Sequence, residues 1–262
     1  MAGAAQVRTI EPLEAVADVT LTFGQLMMES GASGRHVEEV SEQVAYGLGA
    51  AKLDLRLGYA SLAVTISFRD EVITRVRKIG PLGVNQRLLH SLCLEAQRIQ
   101  RGGCTTAEVR AALTRAGAST PHHPDWMVAL AVGVACAAFG RLLDVDWVAA
   151  GPIFVAAALA QMVRRHLGRR GLNVFVSTAI VAFLSSTLGG LGARWVGSQS
   201  VVRAMVVTVL LLVPGVPAFN AQLDILEGRP TLGSARAVWV VMILIFMTAG
   251  VWMAQGLLGE GR

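Results

Sequence analysis

Between Trp126 and Leu258 the chain returns five times to an apolar run of nearly membrane-spanning length. The runs are Trp126 to about Leu143, Trp147 to about Val163, Leu172 to about Ala193, Val201 to about Phe219 and Ala237 to about Leu258. A helix needs about 20 apolar residues to cross the hydrocarbon core of a bilayer, and the second run is on the short side of that. Residues 123–262 are therefore expected to form a transmembrane helical domain. The chain is 53% hydrophobic over 262 residues, and its charge is unevenly placed, with 13 of the 23 Lys and Arg preceding residue 126. The expected fold class is membrane α-helical, with about five transmembrane helices and an N-terminal cytosolic α+β domain over residues 1–122.

The fourth run differs from the others. Leu210-Leu-Leu-Val-Pro214-Gly215-Val-Pro217-Ala-Phe-Asn220-Ala-Gln222-Leu-Asp224 places two prolines and a glycine in the path of a helix, then three polar side chains. Proline removes a backbone donor and breaks a helix. Inside a bilayer, such a break is tolerated only where protein or a water-filled cavity takes over the freed polar groups. Interrupted spans with polar residues at the break are pointers to transport sites. Pro214, Gly215, Pro217, Asn220, Gln222 and Asp224 are thus the substrate-path candidates, set against the plainer reading of a helix that ends at the membrane face. Asn173, Ser177, Ser185 and Thr187 are secondary polar-path candidates. The default for the small residues (Gly133, Ala137 and Gly140; Ser185, Ser186, Gly189, Gly190 and Gly192) is close helix packing.

Charge sets the expected orientation. Arg164-Arg165-His166-Leu-Gly-Arg169-Arg170 between the second and third runs is the strongest cytoplasmic signal. Placing it inside also puts the N-terminal domain and the Arg229–Arg236 loop inside, leaving Arg141, Arg194, Arg203 and Arg262 outside. Trp126, Trp147, Trp195 and Trp239 fall at span ends, as interfacial anchors do, and Trp252 is the exception. The net charge of +5 is accounted for by cytoplasmic loops, so no nucleic-acid partner is expected. The partners expected are the lipid bilayer, a small-molecule substrate and further subunits of an oligomer.

In the N-terminal half, residues 1–10 read as a frayed terminus. Pro12 to Glu29 has the apolar spacing of an amphipathic helix. Gly31-Ala-Ser33-Gly34 breaks it, with Ser33 as N-cap of a second helix, Arg35 to Leu48. The period then shortens to two: Leu53, Leu55 and Leu57, then Leu62, Val64, Ile66 and Phe68, then Val72, Ile73 and Val76 predict an antiparallel meander. Its last strand is expected to expose Arg75, Arg77 and Lys78 as a charged edge. Helices follow from about Val84 to Gln100 and, capped by Thr105, to about Arg115. Gly117 to Pro124, including His122-His123, reads as a linker.

Catalysis finds little support. Glu38, Glu39 and Glu42 beside His36 have the residue types for metal or acid–base work, but three carboxylates on one helix face are better read as a solvated face. No P-loop, nucleophile elbow or zinc-ligand spacing occurs. Cys93, Cys104 and Cys136 read as reduced thiols. Glu11, Glu14 and Asp18 interrupt any signal-peptide core. No enzyme activity, cofactor or metal is expected.

Several of these stretches carry a resemblance. Gly31-Ala-Ser-Gly-Arg-His-Val-Glu38 leading to Gly47-Leu-Gly49, Asp125-Trp126-Met-Val-Ala-Leu, and above all Leu211 to Asp224 with Gly228 and Arg236 resemble the ThrE-type threonine/serine exporter family, in its YjjP-type subfamily. The likeness runs from about residue 20 to 255. It implies a bacterial inner-membrane efflux protein that exports threonine and serine or the dicarboxylate succinate. Full-length exporters of this family carry a second membrane block, so the resemblance also implies a separate small integral-membrane partner of the YjjB type. It transfers no residue-level substrate map. The rival reading is a membrane-anchored sensor whose N-terminal domain binds a ligand or partner; a bare anchor, however, needs one span rather than five.

Overall fold

The computed structural model describes residues 12–119 and 123–260. The terminus at residues 1–10, His122 of the linker and Arg262 lie outside the described residues. In chain order the elements begin with α1 (Leu13–Glu29), α2 (Gly34–Gly47), β1 (Lys52–Leu57), β2 (Ser61–Phe68), β3 (Glu71–Lys78), α3 (Gln86–Gln100) and α4 (Thr106–Ser119). They continue with α5 (Asp125–Leu142), α6 (Ala150–Arg169), α7 (Val174–Trp195), α8 (Val201–Val207), α9 (Gly215–Leu226) and α10 (Pro230–Leu258). Two compact units emerge. One joins residues 1–121 to 216–237, and the other joins 122–215 to 238–262.

The first unit is built around α1. Val16, Ala17, Val19, Leu21, Phe23, Met27 and Met28 are all buried. The sequence pattern suggested one apolar stripe, but α1 is covered on most of its circumference, because α2, the sheet, α3 and α4 all pack on it. The sheet is the expected meander, ordered β1-β2-β3, with Leu55 opposite Val64 and Val64 opposite Arg75. Leu62, Val64 and Ile66 of the middle strand are fully buried. The outer strand β3 meets the expectation in part. Arg75 and Arg77 share the inward register and lean onto α1, where Arg75 meets Glu14 at 2.9 Å and Arg77 pairs with Asp18 and donates to Thr22 Oγ1 at 2.6 Å. Arg75 and Lys78 nonetheless remain exposed, as the pattern suggested, and Val72 and Val76 are exposed beside them.

Caps follow the sequence. Ser33 Oγ accepts from the His36 N–H, and Asn85 caps α3 by accepting from Leu88 N–H at 3.1 Å. At α4, Thr105 and Glu108 exchange side-chain and backbone bonds as a capping box. This helix runs through Gly117 to Ser119, so the linker is shorter than the glycine suggested.

The second unit is helical. Four helices among the described residues are long and apolar enough to cross a membrane: α5, the Trp147–Arg169 segment, α7 and α10. The broken pair α8/α9 makes a fifth if counted as one span. The second span is longer than the apolar run alone, because the arginine-rich stretch to Arg169 remains helical. There Arg165 pairs with Asp125, and Arg169 reaches the same carboxylate at 2.5 Å. The small residues mediate close packing, as expected. A Cβ on Gly133 would meet the Phe154 carbonyl at 2.7 Å, and one on Gly250 would meet the Ala179 carbonyl at 2.5 Å.

Candidate functional site

The fourth apolar run is broken where the prolines require. α8 ends at Val207, one 3₁₀ turn spans Leu210–Leu212, and Val213 adopts extended angles (φ −63°, ψ 120°). A residue before proline is pushed out of the helical region, which fixes the break at Val213-Pro214. The carbonyls freed by that break find donors on neighbouring helices. Ser185 Oγ donates to Thr208 O and Ser186 Oγ to Met205 O, both at 2.9 Å. Arg164 Nη1 reaches Leu211 O at 3.3 Å. The Ser185 hydroxyl, a polar-path candidate, is thus committed to the backbone. Asn173 caps α7, accepting from Phe175 N–H at 2.9 Å. Among the described residues the buried hydroxyls of Ser177 and Thr187 have no hydrogen-bond partner.

Past the break, the structure collects the polar candidates in the first unit. Asp224 is fully buried, Asn220 is buried, Pro217 and Pro214 are half-buried, and Gln222 and Gly215 are exposed. The partners of Asn220 and Asp224 come from the loop between α1 and α2. Gly31 must turn there with φ +93°, which suits glycine, and its carbonyl accepts from Asn220 Nδ2 at 2.8 Å. The Gly34 N–H, one of the unpaired donors that open α2, donates to Asp224 Oδ1 at 2.7 Å. A carboxylate at a helix N-terminus also lies at the positive end of the helix dipole.

A residue outside the candidate set completes the arrangement. Arg236, on the second turn of α10 and only 3% exposed, donates from Nη1 to Asp224 Oδ2 at 2.5 Å and from Nη2 to Ala32 O at 3.1 Å. Each charge is therefore fixed at two points. An unpaired charge this deeply buried is costly, so the signal for Arg236 was present in the sequence as an arginine beside an apolar run, twelve positions after a buried-segment aspartate. Gly228, with φ +81°, turns α9 into α10, and Gly233 lets the two helices close: a Cβ there would meet Ile225 Cγ1 at 2.6 Å. Around the rim Arg229 pairs with Glu38 and, at 3.4 Å, with Glu227. Glu38 is thus engaged rather than simply solvated. Burial pushes the Tyr59 phenol above its usual range, and the nearby Arg236 charge opposes that rise. His36 Nε2 lies 3.3 Å from Cys93 Sγ, and burial raises the Cys93 thiol above its ordinary range.

Four long apolar helices and an interrupted fifth define a helical membrane protein. Residues 18–258 match the family described as "Putative threonine/serine exporter" (ThrE), and the chain belongs to that family. It is 27% identical over 251 residues to the "Probable succinate transporter subunit YjjP" of Klebsiella aerogenes, covering 94% of this chain and 95% of the relative. It is also 27% identical over 255 residues to the protein of the same description in Escherichia coli strain K12, covering 95% and 97%. No solved structure matches. Membership in an exporter family makes the chain a membrane transporter protein and not an enzyme.

Proposed function

We propose that this chain is one subunit of a secondary exporter of small carboxylate metabolites, of the threonine/serine or succinate type, in the bacterial inner membrane. Its N-terminal domain faces the cytosol, in keeping with the arginine-rich segment at Arg164–Arg170. It works with a small integral-membrane partner of the YjjB type, in keeping with relatives described as a succinate transporter subunit. The substrate path runs by the Pro214–Asp224 break.

The observation that carries this reading is the buried pairing of Asp224, on the second helix of the interrupted pair, with Arg236 near the start of α10. Burying opposite charges is costly even when they are paired, so a pair retained at the end of the interrupted segment is read as part of the path. Asn220 and Asp224 are bonded internally in this conformation, so they engage substrate only when the Gly31–Gly34 loop releases them. The sequence has no ATP-binding motif, and transport is driven by an ion gradient or by the substrate gradient itself.

The test is export from cells carrying Asp224→Asn. Membrane insertion at the wild-type level with export strongly reduced is the expected result. Unchanged export removes Asp224 from the path. Collapse of the proton gradient separates proton coupling, which it abolishes, from flow down the substrate gradient, which it leaves intact.

A further inference from the structure

The end of the α5–α6 hairpin that carries Asp125 is the most strongly charged part of the second unit. Four arginines, Arg164, Arg165, Arg169 and Arg170, share that one carboxylate, which leaves three positive charges uncompensated. The other acids of the unit lie at opposite helix ends: Asp144 and Asp146 join α5 to α6, and Glu260 pairs with Arg194 at the end of α7. Nor are the arginines needed to cap α6. The carbonyls of His166, Leu167 and Gly168 already accept from the N–H groups of Arg170, Leu172 and Gly171 at 3.0–3.3 Å, a closure in which Gly171 takes φ +70°. Asp125 holds Arg165 and Arg169 on its two oxygens, which fixes two guanidiniums side by side with donors to spare. The Arg169 side chain is 71% exposed, and His166 and Arg170 are exposed with it.

The rest of this helix face decides the partner. Val155, Leu159 and Met162 are exposed, and at 3.6 residues per turn they share one arc of about 100° with His166, Arg169 and Arg170. From Val155 to His166 the helix rises about 16 Å, the depth of one leaflet of a hydrocarbon core about 30 Å thick. Trp126, next to Asp125 in the chain and also exposed, sets an amphipathic ring at the same end, as membrane-interface anchors do. We propose that this face of α6 binds one anionic phospholipid, with the headgroup phosphate on Arg169 and Arg170 and an acyl chain along Val155, Leu159 and Met162. The arginine fork suits a phosphate, and basic clusters at helix ends on the membrane surface recognise anionic headgroups. Asp125 is a positioning residue, since it orients Arg169. A soluble phosphate would leave the apolar stripe unused, and a zwitterionic lipid would bring a cation of its own to the arginines. This site uses no residue of the proposed substrate path and needs only that α6 lies in the bilayer.

The experiment is fluorescence quenching of the full chain in phosphatidylcholine vesicles. Trp147→Phe, Trp195→Phe, Trp239→Phe and Trp252→Phe leave Trp126 as the reporter. The quenchers are phosphatidylglycerol and phosphatidylcholine, each brominated near the head of its acyl chains. Phosphatidylglycerol should quench at a mole fraction lower by at least about fivefold, the factor that one arginine near an anionic lipid surface supplies. Adding R169Q and R170Q should bring the two lipids together. Adding instead R203Q, which removes one charge beyond the far end of the hairpin, should leave the preference intact. Equal quenching by the two lipids before either change overturns the proposal, even if the R169Q/R170Q protein fails to insert. So does a preference that survives R169Q/R170Q, and so does an equal loss in R203Q, which would assign the effect to net charge. Glycerol 3-phosphate in the buffer should not relieve the quenching; full relief would assign the arginines to a soluble phosphate and overturn the lipid site.

Discussion

Gly34 and Asp224 stand 190 positions apart in the sequence, and the Gly34 N–H donates to Asp224 Oδ1 at 2.7 Å. The contact closes a circuit in which the loop between α1 and α2 obtains its hydrogen-bond partners from α9 and α10. The first prediction follows from its tightness. A Cβ on Gly34 would lie 2.8 Å from Asp224 Oδ1, 2.9 Å from Arg229 Cδ and 3.1 Å from Leu232 Cδ2. Gly34→Ala should therefore cost about 1–3 kcal/mol, the usual range for overpacking a filled site. Thermal unfolding in detergent measures it, and a midpoint equal to wild type would show that the site relaxes freely.

The buried pair makes a second, asymmetric prediction. Arg236→Met alone leaves the Asp224 carboxylate buried with only the Gly34 N–H, and should destabilise the protein by about 3–5 kcal/mol. Adding Asp224→Leu removes the stranded charge and should recover most of that loss. The double variant should still fail to transport. Equal midpoints for single and double variants would mean that the charges are not coupled.

Much of this arrangement was legible in the residues. The Pro214-Gly215-Val-Pro217 break, the Ser33 cap and the alternation of Leu62, Val64 and Ile66 each carry a local signal, because proline geometry, capping and strand period act over a few residues. Asn220 and Asp224 stood out for the same reason, as polar groups following an apolar run. Their partners did not. Nothing local connects Gly31 and Gly34 with residues roughly two hundred positions away, and the inward turn of Arg75 and Arg77 depends on Glu14 and Asp18 of α1. The covering of most of α1 also escaped the pattern, since periodicity shows which face is apolar but not how many neighbours will cover it.

The hydroxyls of α7 separate into two groups with different expected costs. Ser185 and Ser186 satisfy carbonyls of the interrupted segment, and replacing either with alanine should cost about 1 kcal/mol. Ser177, whose hydroxyl has no partner among the described residues, should tolerate Ser177→Ala with little change in stability. A loss of transport in Ser177→Ala at unchanged stability would assign that hydroxyl to the path.

Cys93 supplies a prediction in pH. Burial raises its thiol above the ordinary range, so less thiolate is present at any given pH than for a free cysteine. In a Cys104→Ser/Cys136→Ser background, iodoacetamide should label it slowly near neutral pH. The rate should rise with pH and still be climbing above about 8.5, where a free thiol is half ionised. Fast labelling at neutral pH would contradict the burial of this thiol.

The most direct test of the account is counterflow in proteoliposomes, with the chain alone and with its small membrane partner, using labelled serine, threonine and succinate. A two-component exporter predicts saturable exchange of a carboxylate substrate when both proteins are present, lost when either is omitted. Absence of exchange for all three with both proteins correctly inserted would contradict it and leave the N-terminal domain as a sensor on a membrane platform.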